Sequence, residues 1–158
     1  MTRVYTELSI NASADTISKI LYQFQNYPKW NTFIKEIESE LNDYSANPER
    51  LVGHDMEVVY TRYNGKKHAP IEVHVLHADK SKLQWEGHFY SNVVMKGIHT
   101  MEIEVVNDQK CIFKNYEDYS GVAAYGLEWT TFYDDKVHDY ARMNMELKKV
   151  AESGGAKL

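Results

Sequence analysis

The chain has few of the residues that specialised architectures require. Its 158 residues include one cysteine, three prolines and eight glycines. The single cysteine, Cys111, cannot form an intramolecular disulfide or a multi-cysteine metal site, and it suits a reducing compartment. Low proline and glycine exclude a collagen-like or low-complexity polymer. We therefore expect one domain over residues 1–153, with residues 154–158 as a short tail.

Basic clusters and long apolar runs are also missing. The chain carries 18 Lys and Arg against 23 Asp and Glu, a net charge of -5. Its densest basic step, Lys66-Lys67-His68, is three residues long, too short to track a phosphate backbone. No run approaches the 18 or so apolar residues of a membrane span, and the N-terminus has no signal-like apolar region. We expect a cytoplasmic protein with no nucleic-acid partner and no membrane span.

Motifs for metals, nucleotides and nucleophilic hydrolysis are missing too. There is no His-x-His or His-Glu-x-x-His spacing, no Gly-rich phosphate loop and no Gly-x-Ser-x-Gly elbow. His74 and His77 lie on one predicted strand but differ in parity, which predicts that they point to opposite faces. The sequence therefore predicts neither a metal site nor a cofactor.

Aromatic residues are abundant. Twelve Tyr, three Trp and five Phe make up 13% of the chain. A buried tyrosine hydroxyl needs a hydrogen-bond partner. A tyrosine-rich interior therefore indicates either internal polar networks or a cavity that a ligand or water can enter.

Hydrophobic periodicity predicts an α+β fold. A strand over residues 3–10 is followed by Ser13 as an N-cap, an amphipathic helix to Phe24, a break at residues 26–28 and a short helical turn over 29–34. Alternating patterns then predict strands over 35–41, 51–62, 69–78, 83–89, 97–106 and 111–120, with a hairpin turn at 63–66. Sequential hairpins without helices between them form an antiparallel sheet. Three- and four-residue spacing predicts one long helix over 124–152, ended by Gly154-Gly155, which must cover one face of that sheet.

Several segments carry a resemblance to a known superfamily. They are the Ala-Ser-Ala-Asp helix start, residues 26–34, residues 83–87, Gly97-Ile98-His99, and residues 117–121 before the long helix. With the order of elements, they resemble the SRPBCC or START-like helix-grip superfamily, which includes polyketide cyclase/dehydratase-like and birch-pollen-allergen-like proteins. The resemblance implies a curved sheet of six or seven strands wrapped around the C-terminal helix. It also implies a cavity between sheet and helix for an apolar or aromatic small molecule.

The last hairpin supplies the best polar candidates. If Met101, Ile103 and Val105 face inward with Cys111 and Phe113, a five-residue loop over 106–110 pairs His99 with Glu117. A two-residue Asp108-Gln109 turn would instead place Lys114 opposite Ile103, a poorer match. The His99-Glu117 pair could be catalytic, as a general acid/base couple; it could hydrogen-bond a ligand, or it could be structural.

Aromatic and apolar residues on the inner face complete the candidate binding set. Each of them could equally be a plain core residue. The predicted ligand-binding residues are Tyr60, Trp85, His99, Met101, Phe113, Glu117, Tyr119, Trp129, Tyr133 and Tyr140.

Three functional hypotheses follow. The first is binding of a hydrophobic, aromatic or polycyclic small molecule in the cavity. The second is a cofactor-independent cyclase, dehydratase or isomerase in which His99, Glu117 and a tyrosine hydroxyl move protons. The third is a partner-binding module resembling a chaperone cofactor, with a filled core and an exposed apolar patch. The protein could act as a monomer or a homodimer.

Overall fold

A single antiparallel sheet of seven strands dominates the described part of the chain. The computed structural model describes residues 2–62, 65–89, 94–129 and 131–154, without the side chains of Phe89 and residues 127–129. The strands are β1 Thr2–Ile10, β2 Ile34–Glu38, β3 Asp55–Tyr60, β4 Ile71–Ala78, β5 Lys82–Phe89, β6 Met95–Asn107 and β7 Lys110–Ser120. Their order is β1-β7-β6-β5-β4-β3-β2, so the N-terminal strand lies beside the last one. This arrangement confirms the predicted antiparallel sheet.

Two short helices follow β1, as predicted. Helix α1 spans Ala14–Tyr22, and the Ser13 side chain accepts a hydrogen bond from the Thr16 amide at its start. A 3-10 turn over Phe24–Asn26 leads to helix α2, Tyr27–Trp30. The predicted helical turn over 29–34 is therefore placed too late, because Pro28 lies in the first turn of a helix that begins at Tyr27 and does not break one.

The long C-terminal helix starts later than periodicity predicted. Helix α3 spans Thr131–Glu152, and a 3-10 segment occupies Val122–Trp129. The Ala124 carbonyl accepts a hydrogen bond from the Thr2 hydroxyl at 2.9 Å. Because that contact ties this segment to β1, the prediction of continuous α-helix from residue 124 is wrong. The inner face of α3 covers the sheet through buried Tyr140, Met143 and Leu147.

The β6-β7 hairpin has the predicted register with a different turn. Val105 pairs with Cys111, Ile103 with Phe113 and His99 with Glu117, as expected. Asn107 also pairs with Lys110, so the turn itself is the two-residue Asp108-Gln109. A bulge between Val105 and Asn107 absorbs the extra residue and restores the register.

One prediction of burial and one of side-chain direction are wrong. Val105, expected to face inward, is 61% exposed at the end of the hairpin. His77 was expected on the opposite face from His74, but a register shift between Val75 and His77 reverses the parity. His77 pairs with Gln84 and His74 with Glu86, so both histidines lie on the outer face. A bulge adds one residue to a strand, and sequence parity cannot detect it.

Candidate functional site

A polar network crosses the middle of the core and joins helix α3 to the sheet. The His99 Nε2 on β6 lies 2.6 Å from the Asn115 Oδ1 on β7. The Asn115 amide donates to the Asn144 Oδ1 on α3 at 3.0 Å, and the Asn144 amide donates to the Thr6 hydroxyl on β1 at 2.8 Å. The Thr6 hydroxyl donates in turn to the Asn115 backbone carbonyl at 2.7 Å. Because these buried groups satisfy one another, the network fixes the position of α3 on the sheet.

The partners of His99 determine its protonation. The Asn115 Oδ1 must accept, since its amide nitrogen donates elsewhere, so the His99 Nε2 carries the proton. The ring stacks on Tyr140 and meets Trp85 edge-on, with centroids 5.0 and 5.2 Å apart. Burial lowers the pKa of His99, outweighing the opposing effects of Glu117 and Asn115. The buried Nδ1 has no hydrogen-bond partner among the described residues, which fits a neutral imidazole.

A carboxylate and two tyrosines form a second cluster nearer the end of the sheet. The Glu117 Oε2 accepts hydrogen bonds from the hydroxyls of Tyr119, at 2.7 Å, and Tyr140. Burial and the adjacent Glu117 charge raise the pKa of both tyrosines well above the usual value. Both hydroxyls therefore remain protonated and act as donors. Gly97, on the adjacent strand, leaves the space that the Glu117 carboxylate occupies.

The predicted His99-Glu117 couple does not form a direct hydrogen bond. The two residues face each other in the register. Their side chains turn to different partners: His99 to Asn115, and Glu117 to the two tyrosines. His99 therefore belongs to the network that holds the helix, while Glu117 belongs to a separate tyrosine cluster.

Lys136, on the buried face of α3, is the least expected residue of the interior. It is 9% exposed. Its Nζ lies 5.4–5.5 Å from the ring centroids of Phe33, Tyr60 and Phe132, within cation-π distance of all three. It makes no hydrogen bond or ion pair with any residue in the described ranges. Burial lowers the pKa of Lys136, against the raising effect of the Glu117 and Asp139 charges.

Lys136 lies in the wall of an open cleft between the sheet and the start of α3. The cleft has a volume of about 510 Å³. Its apolar wall includes Tyr60, Pro70, Ile71, Met95 and Phe132. Its polar groups are Arg62, His68, His88 and Lys136, and no carboxylate of the described side chains lines it.

The Arg62 side chain is held toward the cleft by a histidine. The Arg62 Nε donates to the His68 Nε2 at 2.8 Å. Burial, together with the positive charges of Arg62 and Lys136, lowers the pKa of His68, so it stays a neutral acceptor. The positive charge on this side of the cleft is therefore carried by Arg62 and Lys136.

The predicted binding residues divide among three environments. Tyr60 lines the cleft. His99, Glu117, Tyr119 and Tyr140 form the two polar groups described above. Met101, Phe113 and Trp85 are fully buried in the core, Tyr133 is half-buried against it, and the side chain of Trp129 lies outside the described residues. Ligand contact by these residues stays a prediction.

Sequence reasoning missed Lys136 and Arg62 as site residues. The available signal was the helical spacing of α3. Lys136 stands four residues before Tyr140 and seven before Met143, on the stripe that faces the sheet. A charged residue on an apolar stripe is unusual and therefore indicates a candidate functional position. Arg62 had no comparable signal, because it stands beside the turn at the end of β3.

The described residues also bear on metal binding and on membrane insertion. No cluster of three or more His, Cys, Asp or Glu side chains there is arranged to hold a metal ion. No helix in that part of the chain is both long and apolar enough to cross a membrane.

Comparison with known proteins establishes the fold. No protein-family model matches the sequence, and no curated protein does either. Among solved structures, a START superfamily protein from Mycobacterium smegmatis is 17% identical, with a TM-score of 0.67 over 96% of this chain and 97% of the other. Norcoclaurine synthase from Thalictrum flavum is 14% identical, with a TM-score of 0.67 over 98% and 96%.

A third structure extends the comparison to a protein of a biosynthetic pathway. The di-domain aromatase/cyclase BexL from the BE-7585A biosynthetic pathway is 13% identical, with a TM-score of 0.69 over 95% of this chain and 47% of the other. At such low identities the similarity concerns architecture. The chain has the START-like, polyketide-cyclase-like helix-grip fold that its sequence resembles.

Proposed function

We propose that the protein binds an apolar, aromatic small molecule in the cleft between its sheet and helix α3. The observation that carries the proposal is the cleft itself, whose volume of about 510 Å³ falls in the range of about 300–1,000 Å³ common to small-molecule sites. Its apolar wall with a few convergent polar groups is typical of such sites. Three neighbours in fold, the START protein, the synthase and the cyclase, make a small-molecule role a natural hypothesis for this chain.

The cleft favours small-molecule binding over a partner-binding role. A partner-binding module of this fold was expected to have a filled core and an exposed apolar patch. Here the apolar side chains of Tyr60, Phe132 and Met95 turn into a concavity instead of presenting a flat surface. A buried lysine in the same wall adds a specific polar contact of the kind that orients a ligand.

The test is binding of a fluorescent aromatic probe. Phenylnaphthylamine is neutral, apolar and brighter in apolar surroundings, so titration into the protein gives a dissociation constant directly. Ile71→Trp should weaken binding at least about tenfold, because Ile71 lines the cleft and the indole would fill it. Leu76→Trp is the matched control, since Leu76 lies on the outer face of the same strand.

Two results would contradict the proposal. One is the absence of saturable probe binding to the wild-type protein. The other is equal loss of binding in the two tryptophan variants, with both melting temperatures near the wild-type value.

A further inference from the structure

The charges around the cleft define a chemical class for the occupant. We propose that the bound molecule carries an anionic group, such as a carboxylate, sulfonate or phenolate, which the Lys136 ammonium and the Arg62 guanidinium hold. This inference rests on the proposed function and adds to it the charge of the ligand and the two residues that recognise it.

The charge of the cleft wall is opposite in sign to the net charge of the chain. The protein as a whole has a net charge of -5. Among the described residues, the cleft wall nevertheless carries Arg62 and Lys136 and no carboxylate. The charges of Glu117 and Asp139 act on Lys136 from behind the wall, but neither residue lines the cleft. Glu86 beside the cleft pairs with His88 at 3.0 Å and with Lys96 at 3.0 Å. Positive charge is therefore concentrated where a small molecule would enter.

The described residues leave the hydrogen-bond donors of the Lys136 ammonium without acceptors. This ammonium can donate three hydrogen bonds. Three aromatic rings surround it, but among the described residues no oxygen or nitrogen accepts from it. A charge removed from water is stabilised when an opposite charge and its lone pairs come within hydrogen-bond distance. An anion in the cleft would supply both.

Arg62 is oriented to contribute a second contact. Its Nε is used by His68, which leaves the two Nη groups at the end of the side chain without a partner in the described structure. Terminal guanidinium nitrogens bind planar anions such as carboxylates in two-pronged fashion. The rings of Tyr60 and Phe132 form the apolar side of the same cleft, so the complementary molecule is an aromatic or apolar body with an acidic end.

The experiment compares two probes that differ by one acidic group. Anilinonaphthalene sulfonate has the scaffold of phenylnaphthylamine plus a sulfonate. Lys136→Met should weaken binding of the sulfonate probe by about tenfold or more, the effect of losing one charge-assisted contact. The same variant should change binding of the neutral probe less than about threefold, because a methionine preserves the packing against the rings.

Matched variants separate local from general electrostatics. Lys110→Met removes one positive charge at the exposed turn at the opposite end of β6, and it should leave both affinities unchanged. Arg62→Gln should weaken the sulfonate probe selectively, and it serves as the test if Lys136→Met does not fold.

The outcomes distinguish this inference from the proposed function. Saturable binding of the neutral probe, together with a sulfonate affinity that neither Lys136→Met nor Arg62→Gln reduces, would overturn the inference and leave the proposed function standing. Failure of the wild-type protein to bind the neutral probe would contradict the proposed function itself.

Discussion

Adding one methyl group at Gly97 tests the position of the Glu117 carboxylate in the interior. It lies on β6, opposite Tyr119 of β7 and Gly87 of β5. A Cβ added there would approach the Glu117 Oε1 more closely than 3.0 Å and would lie 3.3 Å from the Tyr119 ring. The Glu117 carboxylate cannot keep its place beside such a methyl group. Because the two carboxylate oxygens move together, Gly97→Ala should weaken the hydrogen bonds that the Oε2 accepts from Tyr119 and Tyr140.

The expected cost follows from those hydrogen bonds. Each bond to a charged acceptor contributes about 1.5–3 kcal/mol. Replacing a strand glycine by alanine returns about 0.5–1 kcal/mol through chain entropy. Losing one bond fully and weakening the other gives a net loss of about 1–3 kcal/mol in the free energy of unfolding. For a domain of this size, that lowers the melting temperature by roughly 2–12 °C.

Urea unfolding of four variants measures this effect with its controls. Gly87→Ala is the matched substitution on the neighbouring strand, where the new Cβ meets Val73 at an ordinary 3.5 Å; it should be neutral or slightly stabilising. Glu117→Ala removes the obstruction, so Gly97→Ala in that background should cost less than about 1 kcal/mol. The reasoning fails if Gly97→Ala costs the same with and without Glu117, or no more than Gly87→Ala.

Three further predictions concern the polar interior. Tyr140→Phe deletes the hydrogen bond to Glu117 but keeps the ring that stacks on His99, so urea unfolding should show a loss of about 1–2 kcal/mol; no loss would contradict that bond. Burial lowers the pKa of His99 in the folded state, so the unfolded chain binds its proton first. The contribution of the neutral imidazole to the free energy of unfolding is then fully present above about pH 6.5. It declines as the pH falls toward the lower pKa of the folded state. His99→Gln should flatten that decline in part, since the lowered pKa of His68 acts in the same direction; an unchanged profile would argue against a buried neutral imidazole. Lys136→Met should leave the melting temperature at pH 7 unchanged or raised, because a buried ammonium without an ion pair costs stability; a large decrease would indicate a structural role.

Local patterns sufficed to predict the order of elements because each reports on one element at a time. Alternation along β6 and β7 predicted that Ile103 and Phe113 share the inner face, and this is confirmed. The same logic failed at bulges. The extra residue near Val105 and the one before His77 have no signature in the alternation itself. His77 lies beyond its bulge and is therefore on the opposite face from the one predicted, whereas Val105 keeps the predicted pairing with Cys111.

Contacts between elements were harder to predict than the elements. Periodicity placed Lys136 and Tyr140 on the buried stripe of α3. It could not indicate that one meets three aromatic rings while the other donates to Glu117. Phe33 precedes β2, Tyr60 lies on β3 and Glu117 on β7, so these contacts depend on where α3 crosses the sheet. The start of α3 depended in the same way on the hydrogen bond from Thr2 to Ala124, two residues far apart in the chain.

The sequence alone therefore determined the fold class, the strand pairing of the last hairpin and the exclusion of disulfide scaffolds, because composition and side-chain alternation are properties of short segments. The tertiary structure decided that His99 and Glu117 belong to separate polar clusters. It also decided that a lysine from the apolar stripe lies in the wall of a cleft beside Arg62. The physical reason is that burial and hydrogen-bond competition depend on which distant side chains occupy the same space, and that is settled only when the helix packs on the sheet.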